Sequence, residues 1–343
     1  WPDASAVDRY ICRNPQYAMR RQPFARFPTW MWRNAEFQTF VDYLRQHNDS
    51  AERDARVRFY GLDLYNMTAS IEAVLSYLDR VDRSAAEIAR ARYACLLPWS
   101  GDPAAYGRAA LTHGFATCEN AVTDILVDLL DQEMRYAQRD AKQNGDQYFD
   151  ATQNARLVAN AERYYRAMYY GSRLSWNLRD RHMFETLSSI LDHAGANSKA
   201  VVWAHNSHIG DARFTDMGRQ RGELNIGQLC RQAFGEEAAL IGFGTATGTV
   251  AAASDWDAPM ETKTIRRPRS DSFEHLCHQL DLERFLFDLR PGQHPEMREV
   301  LLRDRSVEVR NVAALAMGGQ VHNPEKAGAI LLKAFDKEKN KLD

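Results

Sequence analysis

The sequence predicts an α/β protein: a parallel-rich sheet carrying a large helical insertion, followed by a small all-α tail. Three observations carry this expectation. Residues 200–204 and 238–243 are continuous apolar runs of strand length, and between them NIGQLCRQAF (225–234) has a helical pattern. Strand, loop, helix, strand is the order of a βαβ unit whose strands are covered on both faces. From about 84 to 192 the pattern is almost wholly helical, rich in Ala, Glu, Arg and Tyr, with breaks only near 98–103 and Gly145. A block of that length between strand signals reads as an insertion between two parts of a sheet.

The other elements follow in chain order. In NAEFQTFVDYLRQH (34–47), Phe37, Phe40, Val41 and Leu44 fall at i, i+3, i+4 and i+7, which predicts an amphipathic helix with Asn34 as its N-cap. RVRFYGLDLY predicts a short strand at 57–60, broken by Gly61 and followed by Asp63. Residues 64–81 read as a helix with Ile71, Val74, Leu75 and Leu78 on one face. In the tail, Asp304, Val309, Arg310, Ala313, Leu315 and Gly318 are spaced as in a HEAT-type repeat, which 295–343 resembles. A single repeat cannot bury its own apolar face, so this segment is expected to pack on the main domain or on a protein partner. An ordinary helical hairpin closing the domain is the plainer alternative.

Composition narrows the function classes. A chain of 343 residues, 45% hydrophobic, holds one large domain with room for a small appendage. With 44 basic and 46 acidic residues there is no global field to recruit nucleic acid or a membrane surface. The short run Arg266, Arg267, Arg269 reads as a solvated face. Five cysteines without a CxxC pair argue against a disulfide framework or a structural zinc site. With no signal peptide and no apolar stretch of roughly 18 residues, the expectation is a cytoplasmic protein.

The chemistry centres on AVVWAHNSHIGDAR (200–213). In open parallel sheets ligands bind beyond the carboxyl ends of the strands, where His205 and His208 fall, separated only by Asn206 and Ser207. Two imidazoles in one tight loop can converge on a single point. The plainer alternative is that one caps the next helix and the other is solvated. A metal reading needs a third ligand, for which Asp211 or Asp63 is the nearest candidate, but HExxH is absent and neither metal nor cofactor is expected. No GxSxG elbow occurs, and Cys277 lies among helical neighbours as a packed thiol. GFGTATG (242–248) has one residue too many for a dinucleotide fingerprint. In RFPTWMWRN (26–34), Trp30, Trp32 and Arg33 form either a packed loop or a Trp-lined wall with a guanidinium for an oxygen-rich organic substrate.

Taken together, RFPTWMWRN, RVRFYGLDLY, SWNLRDRHM, VVWAHNSHIGDA, NIGQL and TGTVAAASDWD resemble the erythromycin esterase family over about residues 1–290. The most specific piece is a strand followed by His-x-x-His-x-Gly-Asp. The resemblance implies an α/β core with a large helical insertion. It also implies water attack on a small-molecule carboxylic ester or macrolactone, with no covalent serine intermediate and no obligatory metal. His205 and His208 match the family's second histidine pair and are the expected catalytic residues. Asp211 or Asp63 is expected to fix a tautomer, and Arg179 and Asp180 to brace the loop or to form a plain salt bridge. The resemblance assigns the general base to an upstream Gly-Glu-x-x-His-Gly motif, which none of the 343 residues matches. The chain is therefore expected to lack the family's first strands, to diverge from the family after Arg290, and to expose apolar sheet surface that promotes association. Two other classes compete: a non-catalytic binding protein on a degenerate esterase fold, and a metal-dependent hydrolase.

Overall fold

The computed structural model describes residues 1–12, 23–25, 28–52, 55–112, 115–139, 145–255, 258–270, 272–279, 284–287 and 315–316. The chain divides into two compact units, 1–199 and 200–343.

The first unit is helical. After α1 (Pro2–Ile11) and the one-turn α2 (Thr29–Trp32), α3 spans Ala35–Ser50. Its start is set by Asn34, whose Oδ1 accepts the Phe37 amide at 2.8 Å, satisfying a donor that the helix itself leaves orphaned. The spaced apolar residues Phe37, Val41 and Leu44 then bury against Val7 and Ile11 of α1. Helix α4 (Met67–Val81) buries Ile71, Val74 and Leu78, the face its sequence marks. Helices α5 (Arg83–Tyr93), α6 (Pro103–Ala110), α7 (Glu119–Asp131), α8 (Glu133–Arg139), α9 (Asp146–Ala167) and α10 (Ser172–Ala194) fill the region read as helical. Asp82 and Asp102 cap α5 and α6 through the amides of Ala85 and Ala105.

Helix α9 is the axis of the unit, with α4, α6, α7 and α10 all packed on it. Ala151, Ala155, Ala159 and Ala161 are small and buried, which lets neighbouring helices approach closely. A helix covered on most sides has no reason to keep a one-sided apolar stripe, and α9 accordingly mixes buried Gln153, Asn154 and Glu162 with its apolar residues. Cys95, just past α5, and Cys118, which precedes α7, form a single disulfide with Cα atoms 6.0 Å apart, where the spacing of the cysteines gave no such expectation. Cys12, Cys230 and Cys277 are free thiols, and Cys277 is buried as expected.

The second unit departs furthest from the sequence reading. It contains α11 (Asn206–Ile209), α12 (Asp216–Arg221), α13 (Ile226–Phe234) and α14 (Phe273–His278). Helix α12 ends at Gly222, whose φ of 64° is the left-handed conformation that a side chain would resist. The expected parallel sheet is not formed among the described residues. Residues 57–60, 200–204 and 238–243 make no ladder, with only an isolated bridge at Gly242. The sheets present are two antiparallel pairs: β1 (Thr249–Ala252) with β2 (Glu261–Thr264), in register from Thr249 opposite Thr264 to Ala252 opposite Glu261, and β3 (Leu286–Phe287) with β4 (Leu315–Ala316). An apolar run becomes a strand only where another backbone meets its N–H and C=O groups, and composition does not supply that neighbour. The HEAT-type tail lies outside the described residues except for Leu315–Ala316, which pairs as a strand rather than continuing a helix. No described helix is long and apolar enough to cross a membrane.

The unformed strands leave a regular apolar surface. Exposure alternates along both runs of the second unit: Val201 is 98% and Trp203 64% exposed, Ile241 47% and Phe243 59%. Large apolar side chains exposed in this way favour association in water. Size-exclusion chromatography with light scattering is expected to find species larger than a monomer, and Val201→Ser with Phe243→Ser to shift them towards monomer. A monodisperse wild-type monomer with a cooperative melt would count against this.

Candidate active site

The histidine loop follows the run 200–204 directly. His205 is the N-cap of α11: its Nδ1 accepts from the Ser207 amide at 3.2 Å and lies 2.9 Å from Ser207 Oγ. With Nδ1 accepting, the proton of the neutral ring sits on Nε2, so Ser207 performs the tautomer-fixing role that the sequence reading gave to Asp211 or Asp63. Partial desolvation of the ring, and then the neighbouring His208, push the His205 pKa below its ordinary 6.5. His208 is 7% exposed, and its amide donates to the His205 carbonyl at 2.8 Å. The plain alternative is thus half realised: one histidine caps a helix, and the other is buried instead of solvated.

Asp211 caps the next turn, Ala212–Phe214, and both its carboxylate oxygens are taken by the Arg213 guanidinium at 2.9 and 2.6 Å. Among the described residues no three His, Cys, Asp or Glu side chains gather as a metal-binding group.

Asp63 and Arg179 belong to the first unit, where they form a two-pronged ion pair: Nε donates to Oδ1 at 3.0 Å and Nη2 to Oδ2 at 2.6 Å. The guanidinium carbon lies 5.1 Å from the centre of the Tyr65 ring, a cation–π contact. The partner of Arg179 is therefore Asp63, 116 residues away, while Asp180, one position on, is fully buried. One turn further along the same helix is His182, a residue the sequence reading passed over. It is 3% exposed, Asn160 Nδ2 donates to its Nδ1 at 2.9 Å, and burial pushes its pKa down to about 3. Its spacing of three from Arg179 on α10 was the available signal, since such residues share a helix face.

Burial opposes ionisation of Asp63, yet the Arg179 charge and hydrogen bonds, with the Leu64 amide, hold its carboxyl below the ordinary 3.8. The unfolded chain takes up this proton first as pH falls past its own, higher value. The pair's contribution to stability is therefore complete above about 3.8 and is lost as pH falls towards the depressed folded value. Unfolding free energy measured down an acid series is expected to show this loss in wild type and not in Asp63→Asn. Parallel curves for the two proteins would contradict it.

Trp32 is packed into the small aromatic cluster of the first unit, 5.3 Å from Phe37 and 5.8 Å from Phe24 between ring centres. Arg33 Nε donates to the Pro23 carbonyl at 2.9 Å, and Trp30 is partly buried on the same turn.

Three solved structures share this fold. A succinoglycan biosynthesis protein is 18% identical with a TM-score of 0.63, the match covering 85% of this chain and 67% of that one. A protein from Bacillus cereus is 18% identical with a TM-score of 0.66, covering 88% and 69%. A mutant of the erythromycin esterase EreC in its open conformation is 16% identical with a TM-score of 0.57, covering 81% and 70%. The sequence profile of erythromycin esterase matches residues 1–337, so the similarity continues well past Arg290, where divergence was expected. The chain belongs to the erythromycin esterase family.

Proposed function

We propose that the chain is a hydrolase that cleaves a small-molecule carboxylic ester or macrolactone by histidine-assisted attack of water. Family membership supports hydrolysis. The observation that carries the site is His205, an imidazole on a short turn whose Nδ1 is engaged by the amide and hydroxyl of Ser207. Its Nε2–H is then a fixed donor. As the water oxygen bonds to the carbonyl carbon, the C=O electron pair moves onto oxygen, and a donor already aimed there stabilises the growing negative charge. Collapse of the tetrahedral species re-forms C=O and breaks the ester C–O bond, and the leaving oxygen takes a proton to give the alcohol and the acid. His208 serves as the second member of the pair. Asp211, which caps the turn just after the same loop, is the proposed supporting residue. The attacking water gives its proton to the general base, which the family resemblance places in a Gly-Glu-x-x-His-Gly motif that none of these 343 residues matches, so turnover is tested in a protein that carries that motif upstream.

The test is release of acid from a panel of 4-nitrophenyl esters and macrolactones, with and without chelator. Turnover that chelator leaves unchanged is expected. Activity lost to chelator and restored by zinc would put a metal-dependent hydrolase in its place, and ligand binding without turnover a non-catalytic binding protein.

A further inference from the structure

The loop carrying both histidines is held by a residue with no assigned role. Asn225 is 1% exposed and opens α13, where its Oδ1 accepts the Gln228 amide at 2.9 Å. The same oxygen lies 3.3 Å from the Ala212 amide, one residue beyond Asp211. Its Nδ2 donates to the Ser207 carbonyl at 2.8 Å. Capping a helix requires only the acceptor, and Ser, Thr or Asp would supply it. Asp lacks a donor, and the single hydroxyl oxygen of Ser or Thr cannot stand at both the Oδ1 and the Nδ2 positions, so the set of contacts singles out Asn, whose donor goes to the Ser207 carbonyl.

Ser207 also holds His205 Nδ1 through its own amide and hydroxyl, one peptide before the carbonyl that Asn225 binds, so fixing that carbonyl anchors the residue from which His205 is aimed. Two positions into α13, Gly227 touches the same loop. A Cβ there would fall 2.3 Å from the carbonyl oxygens of Ile209 and of Gly210, so only glycine permits this approach. On the loop's other side the Asn206 carboxamide donates to the Phe243 carbonyl at 2.6 Å and accepts the Phe243 amide at 3.1 Å. These contacts leave the loop little freedom.

We propose that Asn225 is a positioning residue whose carboxamide fixes the Ser207 peptide, and through it the aim of His205 and His208, with Gly227 admitting α13 to the loop. The functional part of this inference rests on the hydrolase reading; the geometric part does not. A group misplaced by about an ångström loses up to about 10²-fold in rate without comparable loss of binding.

The test uses the full chain, with the upstream motif supplied for the kinetics, and Asn225→Ser, which keeps a capping oxygen and removes the carboxamide nitrogen. Asn225→Asp is the second variant, since it keeps the acceptor and size of Asn but turns a carboxylate towards the Ser207 carbonyl. For 4-nitrophenyl butyrate, kcat is expected to fall about 10- to 100-fold in both, with KM changed less than about threefold. In ¹H–¹³C spectra the ring resonances of His205 and His208 are expected to move towards those of an exposed histidine, a readout that needs no substrate. Gly227→Ala is expected to shift the same resonances. Variants that melt earlier but keep both kcat and the ring resonances of wild type would make Asn225 a helix cap and nothing more, overturning the proposal. Wild type that hydrolyses nothing even with the upstream motif supplied, with variants that still move the ring resonances, would sink the hydrolase reading and leave the positioning role standing.

Discussion

His205→Ala is expected to lower kcat for ester cleavage about 10²–10³-fold, the usual cost of removing one preorganised donor from a developing oxyanion. The side chain is exposed and serves only the four-residue α11 as a cap, so the melting temperature should move little. That separation of rate from stability makes it the cleaner of the two histidine variants. His208 is buried, and His208→Ala therefore combines lost packing with lost chemistry. Steady-state kinetics on purified folded protein that carries the upstream Gly-Glu-x-x-His-Gly motif, paired with thermal melts, reads both effects. Wild-type rates in both alanine variants would remove the pair from the mechanism.

Arg166→Ala is expected to destabilise the first unit by about 3–5 kcal/mol, the cost of leaving a buried charge without its partner. Glu162 is fully buried within α9, and Arg166 reaches it one turn away with Nε at 2.8 Å from Oε1 and Nη2 at 3.1 Å from Oε2. Arg166 also meets Glu119 of α7 at 2.9 Å, so its loss unties two helices. Tyr106 donates to Glu162 at 2.5 Å and accepts the Cys118 amide at 2.8 Å, which carries the network to the disulfide. Denaturant unfolding measures the cost, and Glu162→Gln in the Arg166→Ala background should recover a large part of it by removing the stranded charge. A loss under about 1 kcal/mol would show that the carboxylate does not depend on this arginine.

The legible features of the fold were local ones. Asn34 and the spacing of Phe37, Val41 and Leu44 marked α3, the face of α4 was visible in Ile71, Val74 and Leu78, and NIGQLCRQAF marked α13. In each, the signal and the structure it specifies lie within a few turns of chain, so the residues themselves contain the cause. At the site, the sequence singled out the loop from His205 to Asp211 but not what holds it. Ser207 at the His205 ring follows from one turn of backbone, whereas the Asn225 bond to Ser207 spans eighteen residues and required α13 to pack on the loop.

The sequence by itself determined helices α3, α4 and α13, the helical character of the block from about 84 to 192, the Asn34 cap and the family. Only the tertiary structure decided that Arg179 pairs with Asp63, that Cys95 meets Cys118, that His182 is buried beside Asn160, and that the apolar runs 200–204 and 238–243 remain without a ladder. Each of these depends on a second segment far away in the chain. A side chain's charge, thiol or backbone edge states what it can bind, and packing alone brings the partner within reach.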